Sequence, residues 1–390
     1  MPHTGIIESF FFIFAGAAIL ATAALYTRQP MLVAYIAIGC VLGPFGTQLV
    51  DDPSLLSEIA EFGIIFLLFL VGLDLQPGKL RNMLGASLWT ALGTSIAFFL
   101  VGFGVMWVFG FGITEAVITG IASGFSSTIL GIKLLPTTAL HHRHIGEIVV
   151  SLLLIQDLLA IVAILVITGL GAGTGAVVTS LASMLIALPI LGLVAFAGVR
   201  WGLLPLLRQF DAFHEYIFLM AIGWCLGMAT LASSIGLSME IGAFVGGVSL
   251  ATSPISQYIA ESLRPLRDFF LVLFFFSVGA DLDISLIPDF WPAALVLAIA
   301  LILVKPVVFS YLLRLQGEDR DGSWEVGYRL GQASEFSLLV SYIAISNALL
   351  GREAALVLQF ATVLTLVASS YFVIFRYPSP IAPNARLRRD

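Results

Sequence analysis

The sequence predicts an all-α membrane protein with about thirteen transmembrane helices, on three observations. Only 11% of the 390 residues are charged, 59% are apolar, and mean hydropathy is +1.05, whereas a soluble chain carries roughly 25% charged residues. The apolar residues fall in runs of about 18–25, long enough for a helix to cross a hydrocarbon core of about 30 Å. The runs also lack the period-2 alternation of an outer-membrane barrel strand.

In chain order the predicted spans are 5–26, 31–48, 55–75, 85–110, 113–135, 146–170, 176–199, 213–234, 237–252, 268–280, 291–313, 325–347 and 353–376. The first has no basic stretch ahead of it and carries Glu8, so it reads as a retained span rather than a signal peptide. The connections are short and hold no Ser/Gly-rich linker, which gives one transmembrane domain over 1–377 and a short cytoplasmic tail over 378–390. Cys40 and Cys225 both lie inside apolar runs, so no disulfide framework is expected.

An odd number of spans puts the termini on opposite sides. With the N-terminus outside, sixteen of the eighteen basic residues fall in cytoplasmic segments; Arg352 is outside and Lys305 lies within a span. The outer segments are acidic, with Asp51, Asp52, Asp281, Asp283 and Asp289. That asymmetry obeys the positive-inside rule and predicts an N-out, C-in protein of the cytoplasmic membrane.

A charged residue at the bilayer centre costs about 2.5–3.5 kcal/mol on insertion scales, so an ionisable residue there is a functional hypothesis by default. Four lie well inside spans: Asp157, Glu240, Lys305 and Glu335. Glu58, Glu61, Asp74 and Arg329 lie near span ends and read as ordinary. Asp157 stands in the middle of SLLLIQDLLAIVAIL with Gln156 beside it. One reading is a carboxylate paired structurally with another helix. The other is a site that holds a proton and a cation in turn, because desolvation disfavours the charged form of a carboxyl group and a hard cation prefers oxygen ligands. Lys305, followed by Pro306, is either a snorkelling lysine or a buried cation facing a carboxylate or the negative ends of broken helices. Glu335 reads as part of the site or as half of a structural pair. Glu240, about four residues into a short span, has interface exposure as its competing reading.

Two spans look interrupted. TGIASGFSSTILG in the fifth holds Ser126, Ser127 and Thr128 among glycines, and VGYRLGQASEFS in the twelfth holds Gln332 beside Gly331. Small residues also serve helix packing in membranes. Two such segments in corresponding halves, each next to a span with a buried charge, point to a midplane binding site. His141, His142, Arg143 and His144 lie in a loop without a cysteine or carboxylate cluster, so no resident metal is expected. No phosphate-cradling loop, nucleophile–base pair or dinucleotide fingerprint occurs. The sequence therefore predicts no enzyme, no cofactor and no nucleotide or nucleic-acid site.

Seven stretches then identify a resemblance: IAIGCVLGPFG (36–46), EFGIIFLLFLVGLDLQP (61–77), SSTILG (126–131), LLIQDLLAI (153–161), LSMEIGAFVGGVSLATS (237–253), FFLVLFFFSVGADLD (269–283) and GQASEF (331–336). In this order they resemble the Kef-type potassium–proton antiporters of the second monovalent cation–proton antiporter group. The resemblance implies thirteen helices with inverted repeats, two crossing discontinuous helices, a homodimer, and a six-helix core that moves against a dimerisation domain. It implies that Asp157 binds the ion and the proton, with Gln156 where sodium-transporting relatives carry a second aspartate. Ser126, Ser127 and Thr128 match the first crossover, and Gln332 with Glu335 the second. Lys305 matches a core lysine that pairs with the first aspartate in Asp-Asp relatives. One titrating carboxylate implies electroneutral exchange of potassium for protons by alternating access. Sodium–proton exchange is the rival within transport; a cation channel or a non-transporting sensor is the rival outside it. Kef-type proteins continue into a cytosolic nucleotide-binding domain, and this sequence stops at Asp390: either a cytosolic regulatory domain or subunit is missing from it or the protein lacks that control, and no nucleotide or glutathione is carried over.

Overall fold

A computed structural model describes residues 6–50, 53–74, 77–135, 144–171, 177–210, 213–251, 253, 255–283 and 286–379. The described backbone is built of helices, as expected where every N–H and C=O inside a bilayer must be satisfied within its own segment. The helices are α1 (Ile6–Tyr26), α2 (Met31–Leu42), α3 (Pro53–Asp74), α4 (Pro77–Val108), α5 (Ile113–Ser123), α6 (Thr128–Lys133), α7 (His144–Gly171) and α8 (Val177–Ala197). After a π-helical turn at Gly198–Leu203 come α9 (Leu204–Gln209), α10 (His214–Ser234), α11 (Met239–Ala251) and α12 (Ser256–Ala280). The last four are α13 (Ile287–Leu315), α14 (Arg320–Arg329), α15 (Glu335–Ser346) and α16 (Arg352–Arg376). Among the described residues, seven helices are long and apolar enough to cross a membrane, and five shorter apolar helices accompany them.

Several predicted spans change outline. The fifth and twelfth are each two helices, broken at 124–127 and 330–334. The second stops at Leu42, where Gly43 closes the helix through its N–H on Gly39 O at 2.8 Å and Pro44 follows with no N–H to continue it. The tenth begins at Ser256, twelve residues before the apolar run, because Arg264, Arg267 and Asp268 are carried on a helical turn around Pro265. The acidic pair Asp51–Asp52, residues 141–143 of the histidine-rich loop and the tail from 380 onward lie outside the described residues.

The chain divides into two compact units, the first of Met1–Val50, Asn82–Ile167 and Val278–Asp390, the second of Asp51–Arg81 and Thr168–Ser277. In the first, Phe98, Val149, Leu152, Phe309, Val326 and Leu330 form an apolar cluster that joins α4, α7, α13 and α14. Within it Phe98 and Phe309 meet at 5.4 Å between ring centroids. In the second, Phe66, Phe69, Leu73, Ala243 and Leu250 anchor the core. There α3 and α11 touch backbone to backbone: a Cβ on Gly247 would stand 2.1 Å from Phe69 O, and one on Gly72 2.4 Å from Phe244 O. Only glycine fits either position.

Candidate ion-exchange site

Both interruptions restart on a serine. Ser127 Oγ accepts from Leu130 N at 3.2 Å at the head of α6. Ser334 Oγ accepts from Phe336 N at 3.1 Å at the head of α15, and Ser334 N donates to Ser337 Oγ at 3.3 Å. These hydroxyls accept from amides that the start of a helix leaves without intrahelical partners. The two breaks also hold each other. Ser126 Oγ donates to Leu330 O at 2.8 Å, Gln332 Nε2 to Ser127 O at 3.4 Å, and Ser337 Oγ to Ala122 O at 2.7 Å. Residues some 205 positions apart thus form one crossing.

Lys305 enters the crossing from α13 and is fully buried. Its Nζ donates to Phe125 O at 2.5 Å and to Gln332 O at 3.0 Å, stands 3.4 Å from Ser126 Oγ, and lies 4.8 Å from the centre of the Phe98 ring. Phe125 is the second residue past the C-terminal end of α5 and Gln332 the third past that of α14. Those ends carry partial negative charge from unpaired carbonyls, so the ammonium satisfies two orphan acceptors at once. A buried charge is tolerated only with such direct partners.

Asp157 lies midway along α7, 8% exposed. Thr128, the first residue of α6, donates its hydroxyl to the carboxylate, at 3.0 Å from Oδ1 and 3.1 Å from Oδ2. The neighbouring Gln156 is fully buried; its Nε2 reaches Gly124 O at 3.5 Å, and its Oε1 has no hydrogen-bond partner among the described residues. Ser95 on α4 adjoins the same glycine, a Cβ there lying 3.7 Å from its own, and its Oγ is likewise unpartnered. A carboxylate with a hydroxyl on it, and one residue earlier on α7 an amide that reaches a carbonyl, thus lie where water is scarce. This donor set suits a hard cation, and the carboxylate alone among them also takes a proton.

The crossing brings together Ser126, Ser127, Lys305 and Gln332, and Thr128 ties it to Asp157. Glu335 is buried in the first turn of α15, directly after the Ser334 cap. Glu240 belongs to the second unit, half-buried in the first turn of α11, whereas the crossing is built within the first. Sequence reasoning missed a supporting helix. On α16, Thr365 Oγ1 accepts from Ala333 N at 2.9 Å and Ser369 Oγ donates to Gln332 Oε1 at 2.9 Å. Gln359 Nε2 donates to Ser341 Oγ at 3.2 Å on the same face. The signal was present: Gln359, Thr362, Thr365 and Ser369 recur at spacings of three and four, one face of a helix.

The chain matches the family model described as sodium/hydrogen exchanger, transmembrane, over residues 9–375. It is 29% identical over 354 residues to K(+) efflux antiporter 4 of Arabidopsis thaliana, covering 87% of this chain and 59% of that protein. It is 29% identical over 368 residues to the glutathione-regulated potassium-efflux system protein KefC of Salmonella arizonae, covering 92% and 58%. It is 28% identical over 359 residues to the iron transporter MagA of Paramagnetospirillum magneticum, covering 89% and 80%. The chain therefore spans about three-fifths of the length of the first two relatives. Among solved structures it is similar to the sodium proton antiporter MjNhaP1 from Methanocaldococcus jannaschii, with a TM-score of 0.67 at 16% identity over 95% of this chain and 99% of that one. That likeness is one of fold.

Proposed function

We propose, from the premise that the chain belongs to the sodium/hydrogen exchanger transmembrane family, that it exchanges a monovalent cation, potassium favoured, for protons across the cytoplasmic membrane. The observation that carries this reading is the near-buried Asp157 carboxylate, held by Thr128 beside the unpartnered Gln156 oxygen. In one half of the cycle the carboxyl group carries a proton. When the proton leaves, the carboxylate and its neighbouring oxygens take the cation, and the two occupants exclude each other. One carboxylate shared in turn gives one-for-one, electroneutral exchange by alternating access. Thr128 positions the carboxylate; Gln156 supplies a neutral oxygen.

Neutral Gln156 beside Asp157 lowers the charge of the site, which favours an ion that dehydrates easily. Potassium fits that description better than sodium, and the printed names of the Arabidopsis and Salmonella relatives point the same way. Lys305 holds the crossing together through its two carbonyls, with Ser126, Ser127, Gln332 and Glu335 building the frame around it. Glu240 supports the second unit. The family resemblance supports a homodimer as the working protein, and the distribution of basic residues supports an outside N-terminus and a cytoplasmic C-terminus.

The test is a proteoliposome assay that reads internal pH while potassium, sodium or rubidium is added outside. Potassium is expected to drive proton movement without net current, and Asp157→Asn to abolish it. Current that persists in Asp157→Asn would instead identify a channel. Stronger coupling to sodium than to potassium would reverse the selectivity assignment.

A further inference from the structure

Arg329 is a buried cation that the exchange chemistry leaves unused. It is the last residue of α14, and its side chain is 1% exposed. Nε and Nη2 both donate to Glu325 Oε1, at 2.9 and 2.7 Å. The remaining donors go further. Nη1 reaches Leu134 O at 2.8 Å, and Nη2 reaches Pro378 O at 2.8 Å. Leu134 is the residue just past α6, and Pro378 is the second residue past α16. Tyr377 lies against the guanidinium at 5.9 Å and against the Tyr328 ring at 5.9 Å, and Ser379 is fully buried. One planar fork therefore joins three chain segments, a task that needs several donors at fixed angles.

The consequence follows from the length of α6. Six residues form fewer than two turns, and a helix that short has no stability of its own in isolation. Its start is held by the Ser127 cap and by Thr128 on Asp157. Its end is held by Arg329. If that end is released, α6 keeps only its hold at the start, through Ser127 and Thr128, and its buried Leu130, and the geometry of Thr128 on Asp157 relaxes.

Resting on the exchange reading above, we propose that Arg329 is a positioning residue for exchange. It fixes the far end of α6, and thereby Thr128 against Asp157, and it makes that hold depend on residues 377–379 of the segment that leaves the last helix.

Arg329→Gln, Glu325→Gln and Tyr377→Ala test this in proteoliposomes and by hydrogen–deuterium exchange of the purified protein. Arg329→Gln removes charge-assisted hydrogen bonds, so maximal exchange is expected to fall and half-saturating potassium to rise, each by about tenfold. Amides over 128–134 are expected to exchange faster, while those of α13 stay protected. Tyr377→Ala should move the same amides and the same half-saturation by a smaller factor, although it lies outside the ion path. Arg329→Lys should recover part of the loss, since one ammonium serves fewer acceptors than the fork. If Arg329→Gln does not fold, the two peripheral variants decide: faster exchange over 128–134 supports the proposal, and unchanged exchange overturns it. Unaltered half-saturation in a folded Arg329→Gln also overturns it. Wild-type protein that moves no protons with any cation would instead fail the exchange reading; the amide measurement still stands in that case.

Discussion

In the second unit, Gly72 of α3 and Gly247 of α11 bring two backbones into contact with no side chain between them. In the first unit, the two interrupted helices meet through hydroxyls, carbonyls and one ammonium. Both regions are rich in small residues, and the difference lies in what those residues release. Continuous helices keep their amides and carbonyls to themselves, so small residues serve close packing and nothing else. Interrupted helices set carbonyls free, and side chains or a dehydrated cation can then use them. The glycine seam is a joint; the crossing presents polar groups that a ligand can use. Gly327 shows that the two uses can share one segment, because a Cβ there would lie 2.6 Å from Pro306 O, a packing demand a few residues from the break.

Four changes break or sharpen this comparison. The largest effect is expected at the glycine seam, where Gly247→Leu has no room beside Phe69 O. Folded protein recovered from membranes should fall to near zero, as judged by size-exclusion chromatography. At the crossing, Lys305→Met keeps the bulk but leaves the carbonyls of Phe125 and Gln332 unpaired. Each buried orphan acceptor costs about 1–3 kcal/mol, so a marked drop in melting temperature is expected with folded protein still recovered. Thr128→Val removes a hydrogen bond to the Asp157 carboxylate and almost no volume. Half-saturating potassium should rise by about tenfold, the size of one hydrogen bond to a charged group, with melting temperature little changed. A loss of stability as large as that of Lys305→Met would mean that Thr128 is a structural joint like the glycines.

The smallest effect is expected at the His144–Glu318 contact, which ties the start of α7 to the loop before α14. His144 Nε2 lies 2.9 Å from Glu318 Oε1, and the imidazole is 67% exposed, ahead of the apolar stretch 146–170. Its pKa is raised from the ordinary value of 6.5, first by the hydrogen bond to Glu318 and then by that carboxylate's charge. A raised histidine contributes stability that is complete below its ordinary pKa and is lost as pH climbs through the raised one. The melting temperature of wild type should therefore exceed that of His144→Gln slightly at acid pH. The two should converge at alkaline pH, because the pair is exposed and weak.

The parts of this site that could be read from sequence were those that violate the solvent. Asp157 and Lys305 stand out because charges in apolar runs are costly, and the two breaks stand out because serine, glycine and other polar residues crowd into one short stretch of an apolar span. The partners of Lys305 were out of reach: they are backbone carbonyls 180 and 27 residues away, and a carbonyl has no letter in a sequence. Arg329 reads as ordinary in the sequence because a residue near a span end can reach the interface. Only the fold reveals that its side chain turns inward to Leu134 and Pro378. The start of α12 was missed for a similar reason, since Arg264, Arg267 and Asp268 interrupt the hydropathy and leave the helical period intact. The polar face of α16 had the right spacing and was masked by its apolar surroundings.

The central claim is that one carboxyl group holds either a proton or a cation and never both. The direct measurement is proton release from detergent-purified protein in weakly buffered solution as potassium is added, alongside calorimetric potassium binding, for wild type and Asp157→Asn. The account predicts about one proton released per potassium ion bound to the wild-type chain, as competition for a single carboxyl group requires, and neither binding nor release in the variant. Potassium binding without proton release, or release that survives in Asp157→Asn, would contradict it.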